Sequence, residues 1–146
     1  MCEVFRVKLS PTVKVRSIPL ARPSLDDEMK QAVLDALEND RYTNGENVFE
    51  FEEEFARYIG VRHAVSTNSG TAALHIALLA LGLKPGDEVL TTPLSFIATA
   101  SSIIHAGAVP KFADIRFRDY NIDPTRVREA VSDKTRVLLP AHLFGY

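Results

Sequence analysis

From about residue 63 to residue 140, short runs rich in β-branched residues alternate with longer apolar stretches of helix length. Glycine or proline closes most of them. No other feature of the sequence restricts the fold as much. Strands separated by helices favour parallel pairing through crossovers, so the rhythm predicts an α/β fold with a mainly parallel sheet and flanking helices. The predicted strands are 63–67, 88–92, 109–115 and 136–140. The predicted helices are 72–81, 96–105 and 123–131, the last opened by Asp123 and Pro124. The 72–81 stretch is apolar almost all round, which predicts burial on more than one side. Pro85, Gly86 and Asp87 form a turn, and Pro93 and Gly107 act as stops.

The preceding stretch reads differently. Residues 1–17 mix basic and apolar positions without a period and are expected to form an N-terminal arm, with residues 18–146 forming a single domain. Pro11, Pro19 and Pro23 keep this region extended. A helix is predicted over 24–38. Ser24 is its N-cap, and Asp27 completes a capping box. Leu25, Met29, Val33, Leu34 and Leu37 form its apolar stripe. Residues 39–45 form a loop with an Asn44, Gly45 turn signal. A second helix is expected over 47–58, ended by Gly60. Its acids Glu50, Glu52, Glu53 and Glu54 read as a solvated face.

Several function classes are disfavoured. The chain of 146 residues suits one domain, and its 46% apolar and 25% charged content is that of a globular protein. Its net charge of −2 offers no polybasic surface for nucleic acid or anionic membrane. No apolar run approaches the ~20 residues of a membrane helix. Cys2 is the only cysteine, which excludes an internal disulfide and any zinc cluster built on cysteine. The default expectation is a soluble, cytoplasmic protein.

Asn68, Ser69, Gly70 and Thr71 lie between a predicted strand and a buried helix. Free N–H groups, the helix dipole and two hydroxyls suit an anion, and Gly70 allows close approach to the backbone. The same residues equally suit an ordinary helix cap. They match neither a Walker loop nor a dinucleotide turn. Phe96 opens the next helix at the same end of the sheet and reads either as core or as a stacking platform. His63, His75, His105 and His142 do not cluster at metal spacing. His75 and His105, in apolar helix stretches, read as hydrogen-bonded structural residues. No lysine lies in an apolar environment that would activate its amine.

Taken together, the motifs resemble the front part of the DegT/DnrJ/StrS family of pyridoxal-phosphate aminotransferases. The resemblance begins at Ile18, Pro19 and Leu20, continues through Thr43, Asn44 and Gly45 into Phe49, Glu50, Phe51 and Glu52, and takes in the run from Asn68 to Leu74. Further matches are Pro85 to Val89, Phe96 to Ala100, Asp114 with Ile115, Asn121 to Pro124, and Pro140 to Gly145. The implied fold is the N-terminal part of the large domain of type I pyridoxal-phosphate transferases. The implied cofactor is pyridoxal 5'-phosphate, its phosphate held by Ser69, Gly70 and Thr71 and its ring stacked on Phe96. Thr43, Asn44 and Gly45 would form an active-site loop, and His142 with Gly145 would line the floor. The implied reaction moves an amino group from glutamate or glutamine to a nucleotide-linked keto sugar for polysaccharide biosynthesis. The implied assembly is a homodimer.

The sequence departs from the family at Glu46, where proline is frequent. The 146 residues also lack the Asp-x-Ala-Gln segment, whose Asp pairs with the pyridinium, and the Ser-Phe-x-x-x-Lys segment, whose lysine forms the Schiff base. No catalytic residue is therefore assigned, and the chain alone is expected to be inactive. Its end at a strand's carboxyl edge reads as a piece of something longer. The rival expectation is a stand-alone module that binds cofactor or phosphate without chemistry.

Overall fold

A computed structural model describes residues 18, 19 and 21–146, so the expected arm lies outside the described residues. The chain divides into two compact units, one ending at Phe49 and one running from Glu50 to Tyr146.

In the first unit, α1 (Asp27–Asn39) is capped by Asp26 rather than by Ser24. The Asp26 carboxylate accepts from the Met29 N–H at 2.8 Å. A carboxylate is the stronger acceptor, so the helix starts after it rather than after the serine. The predicted stripe lies along this helix and just before it, but Leu25, Met29, Val33, Leu34 and Leu37 are each more than half exposed. The loop that follows is organised by Asp40. One carboxylate oxygen accepts from the N–H groups of Arg41 at 2.7 Å and Glu46 at 3.1 Å. The other accepts from the Asn47 N–H at 3.2 Å and its side-chain amide at 2.7 Å. Asp40 thereby satisfies free N–H groups at the start of α2 (Glu46–Ile59) from six positions upstream. Gly45 is buried against it, and a Cβ there would collide with the carboxylate. These hydrogen bonds, led by those to Asn47, hold the Asp40 carboxyl below its ordinary value.

The second unit holds a three-stranded sheet in the order β2 (Val109–Phe112), β1 (Glu88–Thr91), β3 (Thr135–Leu139), with both pairings parallel. The central strand is covered on both faces, so Val89, Leu90 and Thr91 have no exposure. α3 (Gly70–Ala80) packs on α4 (Ala98–His105), which packs on β1 and β2. The core joins Leu78, Val89, Ile103 and Ala108, with Leu83, Val137 and Leu139 at its margin. α5 (Pro124–Ala130) starts as predicted, with the Asp123 carboxylate accepting from the Thr125 N–H at 2.8 Å. At the amino edge of the sheet the Glu88 carboxylate accepts from the Ser132 hydroxyl at 2.6 Å. It also pairs with the Lys111 ammonium at 3.1 Å and accepts from the Thr135 hydroxyl at 3.3 Å. These groups, Ser132 first, pull its carboxyl below the ordinary value.

Four expectations are corrected. Residues 63–67 are not in a ladder, because no strand among the described residues pairs with them. α3 is buried on one side only, at Leu78, while Ile76 and Leu79 are about half exposed, because α4 is the element packed against it. β2 stops at Phe112, and Ile115 forms an isolated antiparallel bridge with Ile122. The fourth helix begins at Ala98, which leaves Phe96 in the turn before it. Among the described residues no helix is long and apolar enough to cross a membrane.

Candidate functional site

The start of α3 is built by Ser69. Its hydroxyl accepts from the Ala72 N–H at 3.2 Å, and its carbonyl accepts from the Ala73 N–H and from the Thr67 hydroxyl at 2.9 Å. The N–H groups of Gly70 and Thr71 have no acceptor among the described residues. Gly70 differs from the chain's other glycines. Gly60, Gly82, Gly86, Gly107 and Gly145 adopt positive φ, and Gly45 is pressed against Asp40. Gly70 has no positive φ, and a Cβ there would meet nothing within 4 Å. Neither backbone strain nor internal packing requires glycine at this position. What its missing side chain leaves is open space in front of two free donors at the positive end of a helix.

Ser69 and Gly70 line a cavity of about 480 Å³ together with Phe51, Glu52, Phe55, Ser66 and Thr67, among others. Glu52 does not belong to a solvated face. Its Oε1 accepts from the Ser66 N–H at 2.7 Å and from the Ser66 hydroxyl at 2.8 Å. Those bonds, the main-chain one first, draw its carboxyl below the ordinary glutamate value. A hydrophobic-periodicity reading cannot see this, because the partner is distant in sequence.

A second cavity, of about 430 Å³, is assembled at the carboxyl edge of the sheet. Leu94, Ser95 and Phe96 follow β1, Tyr120 follows β2, and Leu143 and Phe144 follow β3. The edges of parallel sheets are where such folds bind ligands. Phe96 is 75% exposed, so its ring face is available. Tyr120 and Phe144 both sit at positive φ, 60° and 59°. Asn121 holds the two segments together, its amide oxygen accepting from the Leu143 N–H at 2.8 Å. The Thr91 hydroxyl donates to the Leu139 carbonyl at 2.6 Å and ties β1 to β3 at this edge. His142 is exposed at the start of the final turn, with Nδ1 3.3 Å from the Tyr146 carbonyl.

The structure brings Ser69 and Gly70 into the first cavity and Phe96 into the second; Thr71 is exposed next to Gly70. Thr43, Asn44 and Gly45 belong to the first unit, where they form the turn organised by Asp40, with Asn44 at φ 49°. The sequence gives no role to Tyr120, Phe144 or Asn121, and reads Glu52 as part of a solvated face. Asn121, Phe144 and Glu52 stand within matched motifs, which is the available signal. His75 and His105 approach edge-on, with centroids 5.8 Å apart, but His75 Nε2 is buried without a hydrogen-bond partner among the described residues, contrary to the hydrogen-bonded structural role expected of it.

The three-stranded parallel sheet with its flanking helices aligns with the N-terminal third of type I pyridoxal-phosphate aminotransferases. The sequence profile of the DegT/DnrJ/EryC1/StrS aminotransferase family matches residues 23–146, and the chain belongs to that family. It is 46% identical over 128 residues to the spore coat polysaccharide biosynthesis protein SpsC of Bacillus subtilis, covering 88% of this chain and 33% of that one. It is 39% identical over 129 residues to GDP-perosamine synthase of Caulobacter vibrioides, covering 88% and 35%. Among solved structures it resembles the PLP form of the putative sugar aminotransferase Spr1654 of Streptococcus pneumoniae. That match has a TM-score of 0.83 and 32% identity, and covers 89% of this chain and 33% of that one. The chain spans about a third of the length of the relatives it matches.

Proposed function

We propose that this chain supplies the phosphate cradle and ring platform of a pyridoxal-phosphate-dependent aminotransferase. The parent reaction would transfer an amino group from glutamate or glutamine to a nucleotide-linked keto sugar. One observation carries the reading: at the start of α3, Gly70 leaves open space where a Cβ would sit, beside two N–H donors that have no acceptor among the described residues.

The residues present fit the group. The N–H groups of Gly70 and Thr71 and the Thr71 hydroxyl would donate to phosphate oxygens, with the helix dipole favouring the anion. Ser69, fixed by its own capping bonds, would hold that end of the helix still. Phe96 would orient the pyridine ring by stacking, worth ~0.5–1.5 kcal/mol beyond area burial. Thr43, Asn44 and Gly45 would form a substrate-binding loop, and His142 would line the floor of the cofactor site. When bound, the cofactor supplies an electron sink for charge developing at the substrate's amino carbon. These 146 residues contain neither of the two segments that would supply the pairing carboxylate and the lysine, so binding and orientation are what this chain contributes. The working enzyme would be a cytoplasmic homodimer.

The test is calorimetric titration of the purified chain with pyridoxamine 5'-phosphate, whose amine does not condense with surface lysines. Saturable one-site binding is expected. Gly70→Ala should weaken it about tenfold or more, while the melting temperature holds or rises, since alanine fits this helical position and stabilises by ~0.4–1 kcal/mol. Absence of saturable binding, or an unchanged affinity in Gly70→Ala, overturns the cradle. Turnover of a keto sugar with glutamate by this chain alone would refute the claim that its role ends at binding.

A further inference from the structure

We propose that Glu52 is a positioning residue for the phosphate cradle, holding Ser66 so that the chain delivers Ser69 and Gly70 in fixed geometry. The inference rests on the cradle reading above. Residues 63–67 lead into α3 outside any helix or strand and without a ladder partner among the described residues. A backbone in that state needs another anchor to reach a helix start in one conformation. Glu52 provides it: both donors of Ser66 converge on one carboxylate oxygen, at 2.7 and 2.8 Å. Bonds to an ionised acceptor are the stronger kind. The constraint continues along the chain. Thr67 donates its hydroxyl to the Ser69 carbonyl, the same carbonyl that accepts from Ala73, and the Ser69 hydroxyl caps Ala72.

The charge on Glu52 makes the proposal discriminating. Glu52, Ser69 and Gly70 line one cavity. A carboxylate beside an anion site repels the anion, so its electrostatic effect opposes binding while its hydrogen bonds support it. Anchoring and charge can therefore be separated. Glutamine keeps an acceptor for Ser66 and removes the charge, whereas alanine removes both.

The experiment has two readouts on the purified chain. Hydrogen exchange without ligand should show Ser66, Ala72 and Ala73 losing protection in Glu52→Ala and retaining it in Glu52→Gln. Titration with pyridoxamine 5'-phosphate should show about tenfold weaker binding in Glu52→Ala, in line with the loss of charge-assisted hydrogen bonds. Glu52→Gln should bind as well as the unaltered chain or better. Pyridoxamine, which lacks the phosphate, should bind all three equally. Should Glu52→Ala fail to fold, Ser66→Ala removes one of the two donors and should show a smaller loss of the same phosphate-dependent kind. Unchanged exchange at Ser66 and Ala72, or an equal loss with pyridoxamine, overturns the inference and leaves the cradle standing. No binding by the unaltered chain overturns the cradle and the inference built on it.

Discussion

Asn121 uses nearly all of its polar groups. Its N–H donates to the Asp119 carboxylate at 3.0 Å, its carbonyl accepts from Arg116, its amide nitrogen donates to the Asp119 carbonyl, and its amide oxygen accepts from Leu143. It is 8% exposed, and the Asp119 side chain beside it is 7% exposed and ion-paired to Arg116 at 2.7 Å. This knot sets Tyr120 on one wall of the carboxyl-edge cavity and Phe144 on another. Asn121→Ala leaves the Leu143 N–H without its acceptor and should cost about 1–3 kcal/mol in urea unfolding. The same variant should leave pyridoxamine phosphate affinity less affected than Gly70→Ala does, because it leaves the backbone donors at Gly70 and Thr71 in place. At this scale the sequence showed Asn121 within a motif but not what it holds, because Leu143 is 22 positions away.

At the scale of elements, carboxylates join pieces that periodicity defines only singly. Glu88 ties β1 to β2 through Lys111 and to the approach of β3 through Ser132 and Thr135. Its folded-state carboxyl titrates below the ordinary value of 4.5. The stability it contributes is therefore fully present above about pH 4.5 and is lost as pH falls through the lower, folded value. Asp40 at the start of α2 and Glu52 beneath Ser66 have depressed values of the same sign. Acid titration of stability should thus fall away below about pH 4.5. Glu88→Gln should flatten that fall while its remaining oxygen still accepts from Ser132. A stability profile with the same acid slope in Glu88→Gln would refute this account. Element types and the parallel pairing were legible beforehand. The exact ends were not: Ile115 left β2 for a bridge to Ile122, and α1 started after Asp26.

Over the whole molecule, the apolar surface left uncovered is large for a chain of this length. Ile76 and Leu79 on α3 are about half exposed, Leu81 is 60% exposed, and Phe117 and Phe144 are almost fully exposed. The apolar stripe of α1 is likewise open. Patches of this kind drive association. Sedimentation velocity over a dilution series should show concentration-dependent self-association, with dye binding to exposed apolar surface. A monodisperse monomer without dye binding would show that the chain covers these faces by itself.

The sequence by itself determined the alternation of helix and strand, the parallel character of the sheet and the cap at Asp123. Each of these rests on signals within a turn or two of chain: hydrophobic period, capping oxygens and turn residues. Only the tertiary structure decided that Glu52 anchors Ser66, 14 positions on, and that Thr91 meets Leu139 across 48. It also decided that residues 63–67 stand without a ladder partner among the described residues, and that three separate loops close one cavity at the sheet's edge. No local pattern encodes which distant donor meets which acceptor, or whether a strand finds a neighbour. Those outcomes depend on how the packed elements bring remote residues together.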